Sequence, residues 1–486
     1  MTPRSALSKH NGRMPENAYH QIPYLTGPMV DSHPDRLASV ASLFGMTPAP
    51  VTSCRVLEIG CGSGGNIIPM AFRLPGSHFT GVDLADQAIA EGQRLAGELE
   101  MANLKLIAMD LCEIGPAMGE FDYIIAHGVY SWIPDSIRDR LLAVCRERLA
   151  PQGVAYISYN ALPGRYVRTM LRDMMLYHTR SCDDPAKRIE NSRSLLRKLG
   201  EAHMVSAAWQ PMIEAEIQQT FTADDGWFFH DDLAAVNDAV YFRDFVARAA
   251  RQSLQYLGDA RPHLMFDSRT PIDWVGGDVL EREQYFDFLC LRSFRQTLLC
   301  ASDVRLERPA GPERMDRFLF SSPASQSDGH IEGRHSVCLA EAPGPVTQVA
   351  LAMGAVYPLP VSFDELLEIV GDRETLRGIL FALISSGFAV FHTHRIAAAG
   401  NHKPRPRADR LARWQSAHTG TVAFCDHTAN KLDVITRALI HLLDGTRDFD
   451  ELATCLAQVE GAPPLEGIRA QLPFVLDRLL HAGLLE

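Results

Sequence analysis

The 486-residue chain contains no Cys-x-x-Cys pair, and its ten cysteines are scattered. That argues against a disulfide scaffold and for reduced thiols in a cytoplasmic protein. No stretch is long and apolar enough to span a bilayer. Residues 1–23 carry basic side chains but no apolar run, so a secretory signal is not expected there. Basic residues are in deficit, 47 against 59 acidic, for a formal charge of −12. A nucleic-acid backbone is therefore disfavoured as the main partner, since it demands a basic face. The apolar content is that of a globular protein, and the length allows roughly three or four domains.

What is present is an ordered alternation. Residues 1–34 read as irregular, with Pro23, Pro28 and Pro34, followed by a helix from Asp35 to Phe44. From Arg55 short apolar strands alternate with helices: strands near 55–59, 78–84, 104–109, 123–126 and 154–159, with helices near 66–73, 88–99 and 137–149 between them. This pattern predicts an α/β fold, a doubly wound parallel sheet covered on both faces. After Pro163-Gly164 the chain turns helical, including an expected helix over 239–257, and sheet-like signals return at 295–300 and 317–320. The helical stretch is read as an insertion before the sheet's last strands. In the last third a weak repeat pairs Phe363-Asp364-Glu365-Leu366 with Phe449-Asp450-Glu451-Leu452; each copy leads to a longer helix, a glycine and a short apolar strand. That arrangement is winged-helix-like. The expected divisions are an N-terminal arm and lid at 1–50, a Rossmann-like domain at 51–200, a helical middle domain with the last strands at 201–330, and two related C-terminal modules at 331–486.

Strand 55–59 runs into Gly60-Cys61-Gly62-Ser63-Gly64-Gly65 and then a helix, which is a site for a polar ligand: bare backbone permits close approach, and the helix start offers free N–H groups. The glycines alone fit a dinucleotide equally well. Glu58 before the loop, Asp83 ending the second strand and Asp110 ending the third favour S-adenosylmethionine. Asp83 would accept from the ribose hydroxyls, and Asp110 from the adenine amino group. Leu84 and Leu111 would flank the ring. Cys61 and Asn66 line the loop and the helix start, with Cys61 read as a small residue and not a nucleophile.

Three segments then carry a resemblance: Arg55-Val56-Leu57-Glu58-Ile59-Gly60-Cys61, the stretch from Asp122 through His127-Gly128-Val129-Tyr130-Ser131-Trp132 to Pro134, and Ser158-Tyr159-Asn160-Ala161-Leu162-Pro163-Gly164. With His230-Asp231-Asp232-Leu233, Tyr241-Phe242-Arg243-Asp244-Phe245 and the C-terminal repeat, they resemble bacterial class I methyltransferases with a methyltransferase regulatory domain, among them the rickettsial-type protein lysine methyltransferases. The resemblance covers nearly the whole chain. It implies a methyl-donor site, a helical middle domain, and C-terminal modules that present or exclude a substrate. It is also compatible with a homodimer.

In such a fold the acceptor lies beyond the fourth strand, where His127, Tyr130 and Trp132 fall, with Asn160 at the end of the fifth. Tyr130 could orient an amine and Trp132 could face a developing cation, or both could simply close the fold. For His127 a satisfied hydrogen-bonding role weighs more than proton transfer, beside a contact to the donor. Tyr24, with Tyr19 and His33, could close over the donor or belong to a loosely packed arm. His230 and Asp231 could touch the acceptor, though Asp231 or Asp232 at a helix start is more often a cap. His392-Thr393-His394 and Cys425-Asp426-His427 lack the second paired motif of a zinc site, so no metal is expected. The acceptor reads as a nitrogen, first as protein lysine. Methylation of a small molecule or peptide in a biosynthetic pathway, and a sensor that only binds S-adenosylmethionine, stay open.

Overall fold

The computed structural model describes residues 26–201, 208–266, 274–327, 329–340, 344–396 and 403–486. Its centre is a seven-stranded sheet of β1 (Arg55–Ile59), β2 (His78–Asp83), β3 (Leu104–Ala108), β4 (Phe121–Ala126), β5 (Leu149–Asn160), β6 (Leu254–Asp259) and β7 (Phe294–Ala301), in the order β3-β2-β1-β4-β5-β7-β6. The first five strands pair in parallel, and β7 runs antiparallel between β5 and β6.

Side chains alternate across this sheet as the two-residue period demands. Val56, Tyr123, Ile125, Val154 and Tyr156 face one apolar core, while Leu57, Ile124, Ala126, Ile157 and Tyr159 face the other. The first face is covered by α1 (Pro34–Leu43), α2 (Ile67–Arg73) and α3 (Asp86–Glu98). The second is covered by α4 (Asp135–Arg148) and, beyond the middle region, by α8 (Phe242–Arg251).

Between β5 and β6 the chain inserts α5 (Tyr166–His178), α6 (Pro185–Glu201) and α7 (Gln210–Thr222), which share a small core of Leu171, Met175, Leu196, Ile213 and Ile217. The division expected at residue 200 falls inside this cluster. Two expectations need correcting. The helix expected over 239–257 ends at Arg251; Ser253 turns the chain with φ +57 and Leu254 begins β6. Residues 319–321 form a strand, but in a separate three-stranded sheet with 361–362 and 390–392.

α9 (Val279–Cys290) is tied to the sheet by a buried ion cluster. Arg295 on β7 is fully buried; its Nε lies 2.8 Å from Asp287 Oδ2, its Nη2 lies 2.9 Å from Glu283 Oε2, and its guanidinium stacks on Phe242 at 4.0 Å.

The two C-terminal modules repeat the same local devices. Ser362 with Glu365 caps α11 (Phe363–Val370) and Asp448 with Glu451 caps α15 (Phe449–Leu456), each by a reciprocal capping box. The first module adds α10 (Pro345–Val356) and α12 (Arg373–Ser385) and is continuous with the core over α1. The second, with α13 (Arg410–His418), α14 (Val434–Leu442) and α16 (Leu465–His481), builds a core of its own.

Asp287→Ala should cost about 3–5 kcal/mol, because it strips Arg295 of its main partner inside the protein. Denaturant unfolding measures this, and an unchanged midpoint would show the cluster to be energetically neutral.

Candidate functional site

The loop after β1 is fixed by backbone geometry. Gly60 has φ +76, and a Cβ there would stand 2.5 Å from Val129 Cγ2, so glycine alone lets the loops after β1 and β4 touch. Gly60 N and Cys61 N both donate to Val82 O. Cys61 is buried against Gly81, and burial pushes its thiol far up, which leaves it inert as a nucleophile.

Asp83 ends β2 half-buried. Its Oδ2 accepts from Gly62 N and its Oδ1 from Ala85 N, each at 2.8 Å. Each oxygen keeps a lone pair toward the cleft for a ribose hydroxyl. Leu84 beside it is 76% exposed, and Leu111 is half-buried after Asp110, whose Oδ1 accepts from Cys112 N. Two bare aliphatic side chains next to two carboxylates at adjacent strand ends suit a flat heterocycle carrying polar edges.

Glu58 is buried, and its two oxygens differ. Oε1 accepts from Asn66 Nδ2 at 2.6 Å; Oε2 is buried without a hydrogen-bond partner. Burial raises this carboxyl to about 8. An orphaned buried carboxylate oxygen beside a glycine loop is the complement of an ammonium group, so the residues fit the amino-acid end of S-adenosylmethionine.

The arm before α1 closes over this loop. Gly65 N donates to Thr26 Oγ1, a Cβ on Gly62 would meet Thr26 Cγ2 at 3.0 Å, and Met29 N donates to Asn66 Oδ1 at 2.8 Å. His33 caps α1 through Nδ1. Tyr19 and Tyr24 lie outside the described residues.

At the end of β4, His127 Nδ1 lies 2.8 Å from Tyr156 Oη, and burial lowers the ring to about 4. A base that weak is suited to orientation rather than proton transfer. Trp132 is half-buried, and its Nε1 is buried with no acceptor among the described residues. Asn160 is buried at the end of β5, donating from Nδ2 to Asn237 Oδ1 at 2.6 Å, while its backbone N–H donates to Ser131 Oγ. Tyr130 does not line the cleft. Its ring is 1% exposed in the second core, edge-on to Phe245 and tilted on Tyr159, past the left-handed turn at Gly128. The acceptor-wall role expected of it therefore gives way to packing. His127, Trp132 and Asn160 are brought to the ends of adjacent strands.

The middle region docks on this end through Asn237, whose Nδ2 also donates to Asp231 O, and through Arg138, which reaches Tyr130 O and Asp238. Asp231 does not cap a helix; Asp224 does so upstream. Its neighbour Asp232 pairs with Arg168.

The two histidine motifs serve the fold. His392 and the backbone of Thr393 and His394 converge on buried Asp35, and His427 reaches Asn66. No group of three ligating side chains that could hold a metal ion is found among the described residues. Sequence reasoning missed Thr26 and Asn237, which no local motif announces, and read His427 only in a candidate metal motif; its partner Asn66 stands 361 positions away.

Residues 57–155 match a methyltransferase domain family, 224–301 the predicted methyltransferase regulatory domain and 404–461 the PKMT C-terminal winged helix domain. Two uncharacterized proteins of Rickettsia prowazekii are similar in sequence. RP789 is 36% identical over 308 residues, 62% of this chain and 56% of its own length; RP028 is 31% identical over 241 residues, 49% of this chain and 96% of its own. The chain thus spans little more than half of RP789. PKMT2 from Rickettsia typhi, also solved in complex with AdoHcy, superposes with a TM-score of 0.83 at 23% identity, over 95% of this chain and 100% of that one. At that identity the likeness is one of fold.

Asp83→Ala should weaken binding of S-adenosylhomocysteine at least about tenfold by calorimetry, the worth of charge-assisted bonds to a ribose. Unchanged affinity would remove the ribose assignment.

Glu58 gives a pH signature. Its folded value of about 8 lies above the ordinary 4.5, so its contribution favours the ligand-free fold at low pH and is lost as pH rises through 8. An arriving ammonium requires the ionised form, so binding near pH 6.5 should release about one proton. Calorimetry in buffers of different ionisation enthalpy reads that release, and Glu58→Gln should abolish it.

Proposed function

The chain belongs to the bacterial class I, S-adenosylmethionine-dependent methyltransferases that carry a methyltransferase regulatory domain, and from that premise we propose that it methylates nitrogen, specifically the side-chain amine of a protein lysine. The observation that carries the reading is the coupling of a donor-shaped glycine loop to an acceptor end at β4 and β5 that the middle region covers. The PKMT winged helix match at 404–461 supports a protein acceptor.

The bound donor supplies an activated methyl group on a sulfonium. The chain's own residues supply placement. Glu58 holds the amino-acid end of the donor, Asp83 its ribose and Asp110 its adenine amino group, and Leu84 and Leu111 flank the ring. On the acceptor side, Asn160 stands as a hydrogen-bonding wall, His127 as a neutral orienting group, and Trp132 offers both a ring face and an unpaired N–H. Alignment and exclusion of water provide most of the rate in such a displacement. The reading places the protein in the cytoplasm, where its ten cysteines stay reduced.

The test is transfer of label from methyl-labelled donor in a cell lysate, resolved by size and then by mass spectrometry. Label on lysine side chains of a protein is expected. Label confined to small molecules would replace this reading with biosynthetic methylation, and no transfer despite binding would favour a sensor.

A further inference from the structure

Asn66 sits at the N-cap position of α2, directly after the glycine loop, yet its side chain makes no cap hydrogen bond. Asparagine is among the favoured residues there because its side chain satisfies the first free N–H groups. Here the amide is used elsewhere, and all of its capacity is taken. Oδ1 accepts from Met29 N at 2.8 Å and meets His427 Nε2 at 2.9 Å; Nδ2 donates to Ser32 Oγ at 3.0 Å and to Glu58 Oε1 at 2.6 Å. The backbone N–H of Met29 can only donate, which fixes the amide oxygen on that side. His427 must then carry its proton on Nε2 and donate.

His427 comes from the second C-terminal module, at the tip between strands 421–423 and 429–431. The tip is a built structure. His427 is 3% exposed with φ +64, a left-handed conformation uncommon for a non-glycine residue. Its N–H donates to Phe424 O, Phe424 N donates to Thr428 O, and Asp426 Oδ1 accepts from Thr428 N and Oγ1. From the first module, Tyr357 Oη donates to Asp426 Oδ2 at 3.0 Å. The same second module grips the other end of α2, where Arg73 pairs with Asp409, the cap of α13, at 2.8 Å.

We propose that His427 is a positioning residue of the methyl-donor site: it holds the Asn66 amide in the one orientation that presents Glu58 to the donor, so the second C-terminal module completes a site some 360 residues away in the chain. This rests on the reading of the glycine loop as the donor site. Without the His427 N–H, the amide oxygen keeps only its bond from Met29, the hold on the amide slackens, and Glu58 is less firmly placed. By linkage, donor binding in turn favours the docked position of the module.

The experiment compares the full chain with His427→Leu, which removes the donor group, and His427→Gln, which keeps an N–H at similar reach. The readouts are S-adenosylhomocysteine affinity by calorimetry and, with an acceptor in hand, the split between KM for the donor and kcat. The expected result is about a tenfold loss of affinity for the leucine variant, the worth of a buried hydrogen bond with its neighbour left unsatisfied. The glutamine variant should recover most of it, and kcat at saturating donor should hold. Wild-type affinity in His427→Leu overturns the proposal. If that variant does not fold, Tyr357→Phe decides: it loosens the tip without touching the loop, should weaken affinity by a smaller factor, and overturns the proposal if it does not. A wild-type chain that fails to bind S-adenosylhomocysteine would overturn the donor-site reading itself and the proposal with it.

Discussion

A carboxylate buried at the end of β1 with one oxygen unpaired is the constraint around which this molecule is arranged. Glu58 accepts a single side-chain bond, from Asn66, and burial holds its carboxyl up at about 8. A fully ionised carboxylate in such surroundings carries a large desolvation cost, and a protein without a use for it would replace it by an apolar side chain. The fold instead fixes its partner, the Asn66 amide that follows the glycine loop, from two distant parts of the chain: the arm at Met29 and Ser32, and the tip at His427. An unpaired buried oxygen of this kind is the complement of a ligand bearing an ammonium group close to a glycine loop. A dinucleotide, whose phosphates are anionic, has no complement there.

That distinction shows how far the sequence could be read. Glu58, the glycines, Asp83 and Asp110 lie at the ends of three successive strands, and strand ends are marked by local apolar runs and turns. Their convergence follows from the rule that ligands bind beyond the carboxyl ends of a parallel sheet. The alternation of short apolar strands with helices likewise announced the parallel sheet. What was illegible depended on long-range packing. Tyr130 looks the same in sequence whether it faces the cleft or the core; the left-handed turn at Gly128, with Val129 against a glycine 69 residues earlier, decides it. β6 was hidden because Leu254–Leu257 continues an apolar pattern from α8, and only the left-handed turn at Ser253 separates helix from strand. Thr26 carries no motif, and the motif around His427 does not reveal its use, because the bonds both make are to residues far away in the chain.

The middle region shows the same division between local signal and tertiary use. Arg165, at the N-cap of α5, and Arg168 and Arg172 within it follow at helical spacing. Arg168 pairs with Asp232 and Arg172 donates to Ala234 O, so the loop that follows α7 is held from behind by guanidinium groups. From the front the same loop meets Asn160 through Asn237. A segment gripped on both sides can place side chains at the end of β5 with little freedom. The insertion between β5 and β6 is thus more than a decoration on the sheet, since it returns the chain to the end of β5 before the last strands are laid down.

The two C-terminal modules have the same caps and the same helix-helix-glycine-strand order, yet they relate to the sheet in different ways. The first is fused into the apolar core over α1, with Phe320, Leu366, Leu380 and Phe391 continuous with Val40 and Ile67. The second keeps its own core, and its apolar contact with the main one comes from Leu411 and Trp414. What joins it to the catalytic sheet is otherwise polar and specific: Arg73 with Asp409, Arg410 with Glu100, and His427 with Asn66. Interfaces of that kind resemble those between associating proteins more than the interior of one domain. Two of these three contacts fall on α2, the helix that begins at the donor loop. A module attached by polar contacts at both ends of that helix is the part of the chain whose docking most directly changes how the loop is held.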